Sequence, residues 1–360
     1  MNFMERAAEL ARMGEGFTNP NPLVGAVIVK DGKIIGEGYH KKYGEAHAEV
    51  NALASCTESP ESADMYVTLE PCCHTGKQPP CTDAVIAAGI KRVFIGSRDP
   101  NPLVSGKGAE LLRNAGIEVT EDFERELCDA LNPIFFKFIT TGTPYVILKT
   151  AVTADGRTAA ASGDSKWITN EKSRENVHLT RRRVAAVMTG IGTILRDDPE
   201  LTCRIENPKN PIRIICDSYL RIPMDSKIVK TAAEAETIIA TLSHDFVKTR
   251  ELESLGIHVI KTLEKDGEID LSNLMTILGK MNIDSVLIEA GQTLNASAFE
   301  AGIIDLYQLY IAPKLIGGQN AKSPIGGRGI AKMSAAVRLG TPKVRLFDGD
   351  VMLEYEVIKE

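Results

Sequence analysis

Two short segments, YGEAHAEVNAL at residues 43–53 and YVTLEPCCHTGKQPPC at residues 66–81, decide how the first part of this chain is organised. They place His47 two residues before Glu49 and supply thiols at Cys72 and Cys81. An imidazole and two thiolates are typical ligands of Zn²⁺, and three protein ligands leave the fourth tetrahedral position open for water. The spacing therefore predicts a catalytic metal site rather than a closed structural one.

The local sequence predicts where these residues lie in the secondary structure. Glu45–Ala54 consists of good helix formers and is expected to carry the imidazole and the carboxylate in its first turn. A strand over 65–69 leads into the loop that holds Cys72. Cys81 opens a second helix, over 82–88, and the positive end of that helix favours a thiolate.

Glu49 is predicted to carry protons at this site. Bound Zn²⁺ lowers the pKa of its water to roughly 7, and a nearby carboxylate can move a proton from that water to a departing amine. The order of residues matches the H-x-E…P-C…C signature of zinc-dependent deaminases. The alternative interpretation makes His47 a polar surface residue and the cysteines small buried side chains. The four residues together, in this order, favour the metal site.

The gap between the two thiols is longer than in the usual P-C-x-x-C signature, because eight residues separate Cys72 from Cys81. Cys73 is adjacent to Cys72 and cannot easily reach the same metal without distorting the loop, so Cys81 is the predicted third ligand. The inserted residues include His74 and Lys77, which suit a phosphate or another acidic group. A solvated loop that merely tolerates them is the alternative.

Composition limits the classes of function. A chain of 360 residues suggests two domains, and a net charge of −6 argues against a broad nucleic-acid surface. Seven cysteines in no disulfide pattern predict a reducing, cytoplasmic environment. The first residues, MNFMERAAEL, are not expected to form a signal peptide, because Glu5 and Arg6 interrupt the apolar run that one needs, and the apolar stretches are too short to span a bilayer. We therefore expect no nucleic-acid or membrane partner. We also expect the protein to form a homo-oligomer, because many cytosolic enzymes of this size do so.

The pattern of elements predicts two α/β domains, 1–143 and 144–360, with the boundary in the polar segment TTGTP. In the first domain a helix over 2–13 precedes a hairpin at Asp31-Gly32, and strands then alternate with helices up to a helix over about 123–139. In the second domain strands alternate with helices, which predicts a largely parallel sheet. Gly190-Ile191-Gly192 lacks the third glycine of G-x-G-x-x-G, so an ordinary Rossmann assignment is unsupported.

The chain resembles the bacterial family of bifunctional riboflavin-biosynthesis deaminase–reductases over essentially all of its length. The resemblance rests on long motifs that occur in the family's order: NPNPLVGAVIVKDG (19–32), YGEAHAEVNAL (43–53), YVTLEPCCHTGKQPPC (66–81), RDPNPLVSGKG (98–108), PYVILKTAVTADGRTA (144–159), SGDSKWIT (162–169), VMTGIGTILRDDPELTCR (187–204), LIEAG (287–291) and APKLIGG (312–318).

The resemblance implies a cytidine-deaminase-like α/β/α domain followed by a domain similar in fold to dihydrofolate reductases. The first would use Zn²⁺ to deaminate 2,5-diamino-6-ribosylamino-4(3H)-pyrimidinone 5′-phosphate, and the second would use NADPH to reduce the ribosyl group to ribityl phosphate. The partner is thus a small phosphorylated pyrimidine. The family's zinc ligands fall on His47, Cys72 and Cys81, and its proton carrier on Glu49, the four residues that the motif chemistry also selects.

The resemblance also assigns the remaining site residues. The NADP contacts it implies are Ala151, Trp167, Thr193, Asp197, Ser218, Gly291, Gln292, Thr293, Leu294, Asn295, Ala296 and Ser297. The substrate contacts it implies are Ser165, Arg181, Leu201, Arg204 and Glu289 in the second domain, and Asn21, His40, His74, Lys77 and Asn101 in the first.

Some of these residues have other interpretations. Arg181 and Arg204 suit bidentate binding of the substrate phosphate, although an Arg-Arg-Arg run is more often a solvated helix face. Trp167, the only Trp, could pack on a cofactor ring or in the core. For the acid of the reductive step, Lys149 and Asp155 are both candidates.

The chain departs from the family pattern at two places. Cys73 stands where the family usually has Ser, and Thr153-Ala154 replaces the more usual Ser-Leu.

Three rival functions remain open at this point. They are a tRNA- or cytidine-type deaminase, a non-enzymatic zinc-folded interaction module, and a deaminase whose second domain is inactive.

Overall fold

The chain forms two compact units, Met1–Gly142 and Thr143–Glu360. The structure is a computed structural model that describes residues 2–74, 79–101 and 105–359. The division lies one residue from the predicted boundary, where Gly142 adopts a φ of 67° and ends the preceding helix. Among the described residues, none of the helices combines the length and the apolar character needed to cross a bilayer.

Within its described residues, the first unit contains a five-stranded sheet. Its elements are α1 (Phe3–Arg12), β1 (Gly25–Lys30), β2 (Lys33–Tyr39), α2 (Ala48–Ala54), β3 (Asp64–Leu69), α3 (Cys81–Ala87), β4 (Arg92–Ser97), α4 (Lys107–Asn114), β5 (Glu118–Thr120), α5 (Arg125–Asp129) and α6 (Pro133–Thr141). The strand order is β2-β1-β3-β4-β5, in which β1 is antiparallel to both neighbours and β3, β4 and β5 are parallel. The loops that follow β3 and β4 therefore lie at one edge of the sheet.

The period of two along β1 sends its side chains to two different cores. Ala26 and Ile28 pack in a cluster with residues of α2, α3 and α4, whereas Val27 and Val29 pack with Met4 of α1. Burying one such side chain stabilises the fold by about 1.5–3 kcal/mol. Helices on both faces of the sheet confirm the predicted α/β/α class of the first domain.

The helix that carries Glu49 begins later than predicted. The sequence predicts it from Glu45, but α2 begins at Ala48, because residues 42–45 form a turn in which Gly44 adopts a φ of 85°. His47 precedes the helix in an extended conformation, with ψ of 169°. The imidazole therefore lies before the first turn, and only the carboxylate lies in it.

The helix predicted over about 123–139 is also wrong, since the structure has two helices, α5 and α6, in this region. Pro133 interrupts it because proline has no backbone N–H and its ring clashes with the preceding turn. At the break, the Asn132 side chain accepts a hydrogen bond from the N–H of Leu23 and donates one to its carbonyl, at 2.8 and 2.9 Å. These bonds fix the second helix to the segment before β1.

The described part of the second unit contains a nine-stranded sheet. Its elements are β6 (Tyr145–Thr153), α7 (Glu171–Arg183), β7 (Ala186–Gly190), α8 (Ile191–Asp197), β8 (Ile212–Cys216), α9 (Lys227–Lys230), β9 (Thr237–Thr241), α10 (Phe246–Ser254), β10 (His258–Lys261), β11 (Glu264–Lys265), β12 (Glu268–Ile269), α11 (Leu271–Lys280), β13 (Ser285–Ile288), α12 (Gln292–Glu300), β14 (Leu306–Ala312), a 3-10 turn (Met333–Ala335), β15 (Lys343–Phe347) and β16 (Asp350–Glu356).

The order of this sheet is β10-β9-β8-β7-β13-β6-β14-β16-β15. The first seven strands are parallel to one another, and β16 and β15 extend the sheet in antiparallel fashion. This topology confirms the predicted, largely parallel sheet. The carboxyl ends of β6, β7 and β13 meet at one edge, which is where open α/β sheets bind their ligands.

Candidate metal centre and cofactor cavity

His47, Cys72 and Cys81 come together in the first unit although they lie on three different segments. His47 precedes α2, Cys72 follows β3 on a loop, and Cys81 is the first residue of α3. The His47 Nδ1 atom lies 3.5 Å from the Cys72 Sγ and 3.3 Å from the Cys81 Sγ, and the three ligand atoms lie within 4.8 Å of one another.

The donor set and its spacing fit Zn²⁺. Zinc–sulfur and zinc–nitrogen bonds of about 2.3 and 2.0 Å in a tetrahedron place neighbouring ligand atoms roughly 3.5 Å apart. Among the described residues, the group consists of His47, Cys72 and Cys81, and Cys73 is not part of it. The backbone N–H of Cys81 also donates to the Cys72 Sγ at 3.4 Å, which favours the thiolate.

The two thiols titrate as a pair. The hydrogen bond with Cys81 lowers the pKa of Cys72, against the effect of burial and with help from His47. The same bond raises the pKa of Cys81, and burial raises it further. Zinc binding requires both thiols to be deprotonated, so the proton that they share would be released when the metal binds.

Glu49 lies in the first turn of α2 beside this group, with only 3% of its surface exposed. Burial, and secondarily the charge of Cys72, raises the pKa of Glu49 to about 7. A carboxyl group with this pKa can both accept and donate a proton near neutral pH. The position and the pKa of Glu49 therefore suit a proton carrier.

Two residues predicted to line the deaminase pocket, Asn21 and His40, lie next to the metal ligands. The His40 ring is 5.2 Å from the His47 ring, and its Nε2 lies 3.3 Å from the Asn21 amide nitrogen. Burial lowers the pKa of His40, which favours the neutral ring. Since the Ala46 carbonyl can only accept, the Nδ1 atom, 3.2 Å away, carries the proton, and the Nε2 atom accepts from Asn21.

The other predicted pocket residues lie in or beside the two gaps in the described chain. His74 is exposed, and the Asn101 backbone N–H donates to the Asp99 carboxylate at 2.8 Å. Lys77 lies outside the described residues. The sequence did not single out Asp99, although the RDPNP motif contains it; burial raises its pKa to about 6.

In the second unit, a cavity of about 370 Å³ opens at the carboxyl ends of β6, β7 and β13. The predicted cofactor and substrate residues that line it are Ala151, Ser165, Thr193, Asp197, Glu289, Gly291, Gln292, Thr293, Leu294 and Asn295. The predicted residues that do not line it are Trp167, Arg181, Leu201, Arg204, Ser218, Ala296 and Ser297.

The amino end of α12 forms one wall of this cavity. Gly291 precedes the helix, and the first N–H groups of a helix have no partner within it, so they can bind a phosphate. The Asn295 side chain donates to the Pro324 carbonyl at 2.8 Å, and its buried oxygen has no partner among the described residues. An unpaired acceptor beside free N–H groups fits a ligand that carries both phosphate and hydroxyl or amide groups, as NADPH does.

A half-buried cluster of charges includes two residues that line the cavity, Lys149 and Glu289, and the neighbouring Arg181. Burial alone would raise the pKa of Glu289, but the charges of Arg181 and Lys149 outweigh it and lower the pKa to about 2. The Lys149 Nζ lies 3.8 Å from this carboxylate, and burial lowers the pKa of Lys149. Lys149 also lines the cavity, so it can reach a bound ligand.

Asp155, the other candidate acid, has a different environment. Its carboxylate accepts hydrogen bonds from the Thr153 hydroxyl at 2.6 Å and from the Gly317 N–H at 2.7 Å. These bonds lower the pKa of Asp155 to about 2. An ionised, fully engaged carboxylate has no proton to give at neutral pH.

The predicted residues away from the cavity have partners of their own. The Trp167 ring is 64% exposed and lies 4.7 Å from the Arg174 guanidinium. The Ser218 hydroxyl donates to the Glu268 carboxylate at 3.0 Å, and the exposed Arg204 donates to the Glu200 carboxylate at 3.3 Å. Leu201 is buried and Ser297 bonds within α12.

Both units match known families. Residues 144–353 match the RibD C-terminal domain, and residues 1–97 match the cytidine and deoxycytidylate deaminase zinc-binding region. The chain is 52% identical over 358 residues to the riboflavin biosynthesis protein RibD of Actinobacillus pleuropneumoniae, covering 99% of this chain and 95% of that protein. It is 41% identical over 367 residues to RibD of Escherichia coli K12, covering 98% and 97%.

Solved structures give the same match over the whole chain. RibD of Acinetobacter baumannii, in its form 1, has a TM-score of 0.90 at 40% identity, covering 99% of this chain and 98% of that one. The diaminohydroxyphosphoribosylaminopyrimidine deaminase/5-amino-6-(5-phosphoribosylamino)uracil reductase of Thermotoga maritima has a TM-score of 0.88 at 37% identity, with the same coverage. The resemblance drawn from the motifs is thereby confirmed.

Proposed function

This chain belongs to the RibD family of bifunctional riboflavin-biosynthesis enzymes, and from that premise we propose which of its residues perform each of the two reactions. It is a deaminase and a reductase that acts on a small pyrimidine substrate. We assign the deamination to residues 1–143 and the reduction to residues 144–360. The substrate that we propose is 2,5-diamino-6-ribosylamino-4(3H)-pyrimidinone 5′-phosphate.

The observation that carries the deaminase assignment is the grouping of His47, Cys72 and Cys81 beside a buried Glu49. A zinc ion held by these three ligands supplies an activated water, since zinc lowers the pKa of bound water to about 7. Glu49 accepts the proton released when the ring carbon bearing the amine is attacked. It passes this proton to the ring nitrogen, and then carries the remaining hydroxyl proton to the amine, so that ammonia leaves and the ring carbon becomes a carbonyl. The neutral His40 orients the Asn21 amide through its Nε2, and we propose that Asn21 provides hydrogen bonds for the pyrimidine.

The reductase assignment rests on the cavity at the carboxyl ends of β6, β7 and β13. We propose that the first turn of α12, with Thr193 and Asp197, holds NADPH, which supplies hydride to C1′ of the ring-opened ribose. Lys149 gives a proton to the sugar oxygen, because this residue lines the cavity and Glu289 holds its Nζ in place. Trp167, Ser218 and the last residues of the Gly291–Ser297 segment are proposed as contacts at the cofactor's outer parts.

Arg204 is the residue that we propose for the substrate phosphate. Its guanidinium forms an exposed ion pair with Glu200, whereas the Arg181 guanidinium is held by Glu289 in a pair that is mostly shielded from solvent. Ser165 and Leu201 are proposed as further substrate contacts. Of these residues only Ser165 lines the cavity, so the phosphate is expected at its outer rim.

We also propose that the enzyme is a homo-oligomer in the reducing cytoplasm. All seven cysteines lie among the described residues and none forms a disulfide. The strand β15 lies at the edge of the large sheet and exposes Val344 and Leu346. An exposed apolar edge strand is a surface on which a second copy can add its own strand.

A paired assay on the purified full-length chain tests this function. Ammonia release from the diaminopyrimidine ribosyl phosphate is measured first without cofactor, and NADPH oxidation is followed after its addition. We expect ammonia release and then NADPH consumption. Ammonia without NADPH consumption would contradict the reductase assignment, and zinc-loaded protein that releases no ammonia would contradict the deaminase assignment.

A further inference from the structure

Glu70 is a buried carboxylate that lies two residues before the metal ligand Cys72. It follows the last residue of β3, and 4% of its surface is exposed. Its backbone N–H donates to the Ser97 carbonyl at 3.0 Å, which continues the pairing of β3 with β4. The proposed deamination chemistry gives this carboxylate no role.

The Glu70 carboxylate accepts four backbone hydrogen bonds. Its Oε1 accepts from the N–H groups of Gly108 and Ala109, at 3.0 and 3.3 Å, and its Oε2 accepts from those of Gly106 and Asp99, at 3.0 and 3.4 Å. Three of these donors belong to the start of α4. A carboxylate is favoured there because the amino end of a helix is partly positive and its N–H groups lack partners.

Glycines permit this close approach. A Cβ atom on Gly108 would lie 2.2 Å from the Pro71 carbonyl oxygen and 3.2 Å from the Glu70 Oε1. Gly106 adopts a φ of 76°, a conformation that favours glycine. The start of α4 therefore touches the backbone that connects Glu70 to Cys72.

The loop that carries Cys72 is held on its other side by α3. The Cys72 carbonyl accepts from the Thr82 N–H at 3.2 Å, and the Cys72 Sγ accepts from the Cys81 N–H at 3.4 Å. The Cys72 loop thus lies between two helix starts. The bonds to α3 attach it to the other thiol ligand, and the bonds to Glu70 attach it to the sheet and α4.

We propose that Glu70 is a positioning residue of the metal centre, which fixes Cys72 for coordination by anchoring its loop to the start of α4. The same carboxylate binds the Asp99 N–H, and the Asp99 side chain in turn binds the N–H of Asn101, a predicted pocket residue. The Glu70 carboxylate thereby fixes the position of the metal ligand Cys72 and, through Asp99, that of Asn101 in the predicted substrate pocket. This inference rests on the proposed zinc centre.

The test compares zinc binding by the full-length wild type, Glu70→Gln and a control, Glu110→Gln. Glu110 is an exposed carboxylate on α4, the helix whose start binds Glu70. In Glu70→Gln the amide NH₂ replaces one carboxylate oxygen. It faces two backbone N–H donors and cannot accept their hydrogen bonds. Groups that orient a metal ligand typically change metal affinity by 10- to 100-fold, so we expect zinc to bind roughly 10- to 100-fold more weakly, measured by competition with a chromogenic chelator. The Co²⁺-substituted protein should show an altered thiolate-to-cobalt absorption band.

Glu70→Asp provides a second, conservative variant, since it keeps the charge but withdraws the carboxylate by one methylene. We expect it to bind zinc with an affinity between those of the wild type and Glu70→Gln. NADPH turnover by the same chain reports that the second unit is folded, and the melting temperature of each variant reports the folding of the first. Wild-type zinc affinity and an unchanged cobalt spectrum in a variant of lowered melting temperature would overturn the proposal and leave Glu70 as a cap of α4. A wild type that holds no zinc would instead refute the zinc centre itself.

Discussion

The guanidinium of Arg181 donates two parallel hydrogen bonds to the carboxylate of Glu289, from Nε to Oε1 at 2.5 Å and from Nη2 to Oε2 at 3.1 Å. A third nitrogen, Nη1, donates to the Thr202 carbonyl at 2.9 Å. The family resemblance implies that both residues contact the substrate, yet in this chain they bind each other. The arginine thus holds Glu289, which in turn lies 3.8 Å from the Lys149 Nζ, and for this reason we propose Arg204 for the substrate phosphate.

Replacing Arg204 by alanine should weaken the reductase and spare deamination. Removal of one charge-assisted contact to a phosphate costs about 1.5–3 kcal/mol, so we expect KM for the deaminated substrate to rise roughly 10- to 100-fold. The measurement is NADPH oxidation at varied substrate concentration. Arg250→Ala, an exposed arginine on α10, is the matched control. Equal loss of ammonia release would indicate a folding defect rather than a lost phosphate contact.

Replacing Lys149 by methionine should slow the reductive step itself. The side chain keeps its length but has no proton to donate, and general acid catalysis contributes about 10²–10⁴-fold. We expect kcat for NADPH oxidation to fall by about that factor, with NADPH affinity from a fluorescence titration changed little. Lys172→Met, on the exposed face of α7, is the control. A variant that keeps the wild-type kcat would remove Lys149 from the mechanism.

The Glu289 cluster should make the second domain sensitive to acid. Glu289 has a pKa of about 2 in the folded chain against an ordinary 4.5, so its ionised form stabilises the fold above pH 4.5 and this contribution is lost as the pH falls towards 2. The shift corresponds to a loss on the order of 3 kcal/mol. Urea unfolding can be followed through Trp167, the single Trp.

The control for this pH dependence is Glu289→Gln, which cannot ionise. The difference in unfolding free energy between the wild type and this variant should be largest at pH 6 and should shrink steadily below pH 4.5. A difference of the same size at pH 3 and pH 6 would show that ionisation of Glu289 does not stabilise the domain.

Replacing Glu49 by glutamine should stop ammonia release but leave zinc in place, because Glu49 moves protons and is not a ligand. We expect at least a 10²-fold fall in kcat for deamination. Zinc content is measured by elemental analysis, and reduction of the already deaminated substrate provides the control on the same chain. Normal deamination by this variant would rule out Glu49 as the proton carrier.

The metal group could be predicted from the sequence because its chemistry is specific. An imidazole and two thiols at these positions have few other uses, and Cys81 could be preferred to Cys73 on chain geometry alone. The hairpin at Asp31-Gly32 is similar, since both residues adopt positive φ, 49° and 75°, as a two-residue turn requires. Local rules were sufficient in both cases.

Tertiary contacts explain what local patterns did not predict. Helix propensity favoured a start at Glu45, but the turn at Gly44 delays α2 to Ala48. The bond between Arg181 and Glu289 joins residues 108 positions apart, so no spacing rule could predict that the arginine is already occupied. The four donors to Glu70 are backbone N–H groups, which leave no trace in residue type except the glycines at 106 and 108.

The order of strands in the large sheet has a consequence for how the chain is made. The first strand of the second unit, β6, lies between β13 and β14, which are synthesised more than a hundred residues later, whereas neighbouring strands of the first sheet are close in sequence. Pairing over such long separations is slow, and domains made first generally fold first. During synthesis, the first unit is therefore expected to be folded while the second is still incomplete. At that stage β6, an apolar strand, has no partner until β13 and β14 have been made.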